Sequence, residues 1–150
     1  MIAFAVLMGL LGAAMGSFVA LLAERLVRGQ ATVLARSQCR SCGAVLRARD
    51  LVPVVSFLVR GGRCAHCDAR IPPLLLQAEV IGALFAVAAA VTTPDPLRAL
   101  LLAAWTWALL GLALADLRYF RLPDPLVIAA ALSGLALALA ASAGAFAQSK

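Results

Sequence analysis

Charge is what this sequence has least of. Asp, Glu, Lys and Arg make up 13% of its 150 residues, about half the share of an ordinary soluble domain. A water-covered globular surface cannot be built from so few, which excludes a soluble enzyme with a large buried core. Aromatics are also scarce, at 6%. No basic helix or aromatic platform accompanies the net charge of +6, so nucleic-acid binding is set aside. No Lys or Arg precedes the first apolar run; the first charges, Glu24 and Arg25, follow it. That order excludes a cleaved secretory signal peptide, which carries its positive charge in front.

What the chain has instead is apolar length. Hydrophobic residues reach 64% and mean hydropathy is +1.00. Ile2 to Leu22 contains no charged side chain and is long enough to cross about 30 Å of hydrocarbon as a helix. Further spans are expected over Leu74 to Val91, Ala99 to Ala115 and Pro125 to Ala147. Pro72-Pro73 can open the second of these, and Thr92-Thr93-Pro94-Asp95-Pro96 makes the turn before the third. Gly9, Gly12 and Gly16 fall on or near one face of the first span, where small residues let another helix approach closely. The expected fold is an all-α integral membrane protein of four transmembrane helices, with a small zinc-ribbon-like loop between helices 1 and 2.

The basic residues orient this frame. Nine of the 13 lie between Arg25 and Arg70, and Arg118 and Arg121 add two more in the second loop on the same side. Arg98 and Lys150 are the basic residues assigned to the opposite side. Positive charge gathers in cytoplasmic loops, so residues 25–73 are expected in the cytoplasm and both termini outside. The boundaries are then 1–24 for the first helix, 25–73 for the loop and 74–150 for helices two to four.

The loop holds all four cysteines as two CxxC pairs, Cys39/Cys42 and Cys64/Cys67, 21 residues apart. Each pair can wrap a metal from one tight turn, and two facing turns supply four thiolates in a tetrahedron. Gly43 follows the first pair and Asp68 the second, at positions where such a turn calls for positive φ. A hairpin over Leu51 to Leu58 is expected to absorb the long spacing. Structural disulfides do not persist in a reducing compartment, so bound Zn2+ is the reading for Cys39, Cys42, Cys64 and Cys67. His66 could replace a cysteine but is read as a solvent-facing turn residue, because its flanking cysteines already satisfy the site.

The remaining candidate sites are acids. Asp116 opens the polar stretch Asp116-Leu117-Arg118-Tyr119-Phe120-Arg121-Leu122-Pro123-Asp124 between the third and fourth spans. An ionisable group at the edge of lipid is costly and marks a functional site by default; a helix-end acid beside Arg118 is the plainer reading. Asp124 precedes Pro125 and reads as an N-cap with proline at N1. Glu79 sits about one turn into the second span, where a contact with arginine, snorkelling to the interface or a site role are all open. Asp50 and Asp68 read as solvated loop acids.

In order, the chain carries Gly16-Ser17-Phe18, Arg25-Leu26, the first CxxC, Asp50-Leu51-Val52-Pro53-Val54-Val55-Ser56-Phe57 and Arg60-Gly61-Gly62-Arg63-Cys64. Ile71, Glu79, Asp116-Leu117-Arg118 and Leu122-Pro123-Asp124 follow. This resembles the amino-terminal part of the prepilin peptidases, the bacterial type 4 prepilin leader peptidase and N-methyltransferase family, from about Gly16 to Leu135. The resemblance implies a membrane aspartic endopeptidase of the bacterial inner membrane, serving type IV pilus and type II secretion precursors. It would cut the basic leaders of prepilin-like proteins at the cytoplasmic face, and many members then methylate the new terminus from S-adenosylmethionine. Asp116 matches the first catalytic aspartate, and Cys39, Cys42, Cys64 and Cys67 match the zinc-binding cysteines. Glu79 and Asp124 are secondary candidates.

Two departures stand out. Ala20 occupies a position where the family pattern has Asn. The second aspartate, in a Gly-x-Gly-Asp motif, does not occur in these 150 residues. Aspartic catalysis needs two carboxylates, one as base and one as acid. The chain is therefore expected to be truncated or split and inactive alone, requiring that segment fused or from a partner chain. The competing readings are a non-catalytic, zinc-stabilised membrane subunit of a pilus or secretion assembly, and a membrane thiol oxidoreductase with its cysteines on the oxidising side.

Overall fold

A computed structural model describes residues 1–30, 38–39, 41–45 and 54–148, with side chains to residue 143. The first half of the Asp50–Phe57 motif, Asp50 included, and the first part of the expected hairpin lie outside the described residues. The elements are α1 (Ile2–Val27), α2 (Val55–Val59), α3 (Pro73–Thr92), α4 (Pro96–Tyr119) and α5 (Asp124–Gln148). Helices α1, α3, α4 and α5 are each long and apolar enough to cross a membrane. Among the described residues no strand forms; the backbone makes two isolated bridges, Gln38 with Val45 and Arg63 with Arg70. The protein is an all-α integral membrane protein with a small four-cysteine module between α1 and α3.

The helix boundaries follow from local chemistry. Pro72 caps α3 and Pro73 begins it, where the missing N–H costs nothing and the fixed φ is already helical. Asp95 caps α4, its Oδ1 accepting from the Leu97 N–H at 2.9 Å, and holds Arg98 at 3.4 Å. Helix α4 ends at Phe120, whose left-handed φ of 50° turns the chain out while its N–H bonds the Asp116 carbonyl. Helix α5 begins one residue earlier than expected. The Pro123 carbonyl accepts from the Leu126 and Val127 N–H groups, so Pro123 is the cap. Asp124 is the first helical residue, its charge facing the positive end of the helix dipole.

Packing rests on small residues. Helices α1 and α3 make the closest pair: a Cβ on Gly12 would meet the Gly82 carbonyl oxygen at 2.4 Å, and one on Gly16 would meet the Ala78 carbonyl oxygen at 2.1 Å. The glycine face of the first span does bring in another helix. Met8, Val19, Ala86, Ala103 and Trp107 form the core where α1, α3 and α4 meet. Trp107 donates its ring N–H to the Gly82 carbonyl at 3.1 Å, which satisfies a polar group in the apolar interior. A smaller cluster of Ala23, Ala115 and Leu126 closes the loop end. Helix α5 leans on α4 and leaves Ile128, Leu132, Leu135 and Leu139 exposed, as lipid-facing residues should be.

Candidate functional site

The cysteine module is built from two turns of the same design. In the first, Cys39 N–H bonds the Ala44 carbonyl and Gly43 N–H returns to the Cys39 carbonyl. In the second, Cys64 N–H bonds the Ala69 carbonyl and Asp68 N–H returns to the Cys64 carbonyl. Gly43 takes φ 69° and Asp68 φ 60°, the left-handed conformation expected at both positions. The turns bring the four sulfurs within 4.8 Å of one another, and Cys39 Sγ lies 3.8 Å from Cys67 Sγ. A tetrahedral zinc site with bonds of about 2.3 Å has S···S edges of about 3.8 Å. The arrangement fits such an ion with little movement, and all four thiols are free. The His66 N–H donates to Cys64 Sγ at 3.4 Å, and the His66 side chain is exposed outside the group of clustered ligands.

Position in the turns separates the thiols electrostatically. The N–H groups of Cys42 and Ser41 point at Cys39 and lower its pKa from 9.0 to about 6, against a smaller loss of hydration. Cys67 receives the Ala69 N–H, which lowers its pKa. The Cys42, Cys39 and Cys64 sulfurs and lost hydration together outweigh that and push it up to about 12. Four sulfurs this close cannot all ionise unless a cation joins them.

The expected hairpin across the long spacing is not what forms. Its described part, from Val54 onward, is a short helix, α2, between Val54 at φ 61° and the Gly61-Gly62 turn. Phe57 folds over Gly62, where a Cβ would fall 2.7 Å from the ring. Glu79 supplies the contact that the sequence did not reveal. Its Oε2 accepts the Val54 N–H at 2.7 Å, tying the segment before α2 to helix α3. An acid inside an apolar helix signals that a donor must be near, but no pattern marks a backbone N–H 25 residues earlier as that donor.

Asp116 lies in the last turn of α4 with its side chain exposed. Its end of the bundle is fixed by a shallow crevice that joins Ala23 and Glu24 of α1, Pro72 and Leu75 at the start of α3, and Arg118 and Tyr119 of α4. Asp116 therefore emerges on the end from which the cysteine module hangs. Glu24 is paired there with Arg28 at 3.1 Å. Asp124, also exposed, begins α5 at this same end. Ala20 is buried and lines the crevice.

Comparison with known proteins gives a consistent answer. Residues 10–93 match the bacterial peptidase A24 N-terminal domain. A prepilin leader peptidase/N-methyltransferase from Myxococcus xanthus is 32% identical over 146 residues, 95% of this chain and 43% of that protein. Proteins of the same name from Dichelobacter nodosus and Pseudomonas putida are 34% and 39% identical, over 69% and 63% of this chain and 36% and 33% of their own length. The chain thus spans less than half the length of each of these relatives. No solved structure matches it. The family match covers most of α1, the cysteine module and α3, and the Myxococcus alignment extends to nearly the whole chain, so the protein belongs to the bacterial A24 peptidase family.

Proposed function

We propose that this chain forms the amino-terminal part of a membrane aspartic endopeptidase that removes basic leader peptides from prepilin-like precursors. The observation that carries the reading is the exposed carboxylate of Asp116 at the module end of the bundle. A precursor whose apolar helix stays in the bilayer would present its leader junction at that height, so that only a local approach is needed. Asp116 is one of the two carboxylates of the reaction: one takes a proton from the attacking water while the other, protonated, donates to the scissile carbonyl. The partner is the aspartate of a Gly-x-Gly-Asp segment acting together with this chain. The reaction takes place at the cytoplasmic face of the inner membrane, with both termini of this chain on the other side, as the arginine distribution favours. Methylation of the new amino terminus from S-adenosylmethionine is carried by the names of the relatives.

Zn2+ is the ion proposed for Cys39, Cys42, Cys64 and Cys67, in a closed site with a structural role. Four protein thiolates leave no open position for substrate. The gathering of all four sulfurs within 4.8 Å suits a tetrahedral ion better than a dithiol pair in redox exchange.

The test joins this chain to a Gly-x-Gly-Asp segment, reconstitutes it in vesicles and supplies a prepilin precursor. Asp116→Asn should abolish cleavage and leave the thiol-bound metal in place. Undiminished cleavage would remove Asp116 from the chemistry. Cleavage by the 150-residue chain alone would refute the need for a second carboxylate from the other segment.

A further inference from the structure

We propose that α2 is an interfacial anchor, which lays the apolar face of Val55, Leu58 and Val59 into the surface of an anionic bilayer beside α3. These three side chains are 55%, 66% and 80% exposed. Their spacing of i, i+3 and i+4 places them on one side of a helical turn, while Phe57 turns the other way onto Gly62. A patch of large apolar residues has no reason to face water on a module otherwise made of polar turns.

The height of α2 decides what it meets. Its preceding residue, Val54, is bonded to Glu79 Oε2 at 2.7 Å, and Glu79 lies about 9 Å along the axis of α3 from Pro73. Side chains on a helix lean toward its N-terminus, so the carboxylate holds Val54 alongside the first two turns of α3, whose Leu74, Leu75 and Leu76 begin its apolar surface. The far end of α2 is tied as well. Ile71 N–H bonds the Gly62 carbonyl at 2.7 Å, immediately before Pro72 and Pro73. With both ends held against the start of a membrane-crossing helix, α2 cannot swing out into water.

Charge selects the lipid. Arg60 follows α2 directly, and Arg63 and Arg70 stand across from each other at the next bridge. Asp68 lies 3.4 Å from Arg63, and Glu79 meets the other end of α2 at Val54. Basic side chains around an apolar patch at the interface draw it to anionic headgroups.

The test is lipid photolabelling of the reconstituted chain. Vesicles of phosphatidylethanolamine and phosphatidylglycerol carry a diazirine on an acyl chain, and adducts are mapped by mass spectrometry. Adducts are expected on Val55–Val59 and on Leu132, Leu135 and Leu139 of α5, with none on the turn Ala65–Cys67. In phosphatidylcholine alone the α2 adducts should fall while those on α5 stay. The double variant Leu58→Asp/Val59→Asp changes only exposed side chains, and should lose the α2 adducts with α5 labelling intact. Glu79→Ala should reduce them and Glu79→Gln, which keeps an acceptor oxygen, should largely preserve them. Bare α2 beside labelled α5, or α2 captured only by a second copy of the chain, would overturn the proposal. Equal α2 labelling in both lipids would overturn the anionic preference.

Discussion

The contact between α1 and α3 makes the sharpest energetic prediction, through Gly16→Ala. Inside a helix, Gly to Ala is ordinarily stabilising by about 1 kcal/mol, because alanine loses less backbone entropy on folding. Here the added Cβ would lie 2.1 Å from the Ala78 carbonyl oxygen, 2.8 Å from its carbon and 3.2 Å from the Glu79 Cα. An ordinary carbon–oxygen contact is about 3.3 Å, so the helices must part by about 1 Å, and rigid backbone on both sides leaves no rotamer to yield. Overpacking of this kind costs about 1–3 kcal/mol, and separation also forfeits dispersion contacts along the whole pair. The clash outweighs the propensity gain, and net destabilisation of about 1–2 kcal/mol is expected once the lost dispersion is included.

Gly9→Ala is the control on the same helix. Its Cβ would meet the Val87 Cγ2 methyl at 3.1 Å, the end of a side chain that can give by a few tenths of an ångström. That variant should be neutral or slightly stabilised. Reversible unfolding in mixed micelles, read by circular dichroism, measures both. Gly16→Ala as stable as the parent, or less damaging than Gly9→Ala, would refute the packing argument.

Other outcomes follow from the module and the core. Cobalt(II) added to the metal-free protein should bind one ion per chain with the absorption of a tetrahedral thiolate site, and Cys42→Ser should weaken it severely. At neutral pH, iodoacetamide should modify metal-free Cys39 first and Cys67 last, because their pKa values lie at about 6 and about 12; equal rates would contradict the separation. The pH dependence has opposite signs for the two thiols. Cys39, lowered from 9.0, contributes stability that is present above pH 9 and lost as pH falls through about 6. Cys67, raised from 9.0, contributes stability that is present below pH 9 and lost as pH rises through about 12; hydrogen exchange across the metal-free turns reads both limbs. Trp107→Phe should cost about 1 kcal/mol by leaving the Gly82 carbonyl without its 3.1 Å donor, measured in the same micelle unfolding. Glu79→Ala should speed exchange at Val54 and through α2 while α4 and α5 are unchanged; uniform acceleration would mean that the bond supports the whole bundle.

Much of this architecture was legible before any coordinates, for identifiable reasons. The four spans declare themselves because hydrocarbon demands apolar length, and Pro72-Pro73 marks the start of α3 through its own backbone chemistry; the third span was expected from Ala99, whereas α4 begins at Pro96 within the expected turn. The CxxC spacing and the residues after each pair, Gly43 and Asp68, encoded the two turns that bring the four thiols together, since positive φ is a local requirement. The resemblance to prepilin peptidases rested on ordered short motifs, and the family match bears it out.

Tertiary structure decided what depends on partners distant in the chain. That α2 replaces a hairpin and that Glu79 accepts the Val54 N–H both follow from where two separated segments meet. Sequence periodicity carries no information about such a meeting. The shift of the α5 cap from Asp124 to Pro123 has a nearer cause, because it turns on which carbonyl the incoming N–H groups reach. The amino-acid order determined which segments are apolar enough to cross a bilayer and which carry the four cysteines. Only the tertiary structure decided which backbone stands within hydrogen-bonding reach of a carboxylate, because that distance depends on where the segment before α2 comes to rest against α3.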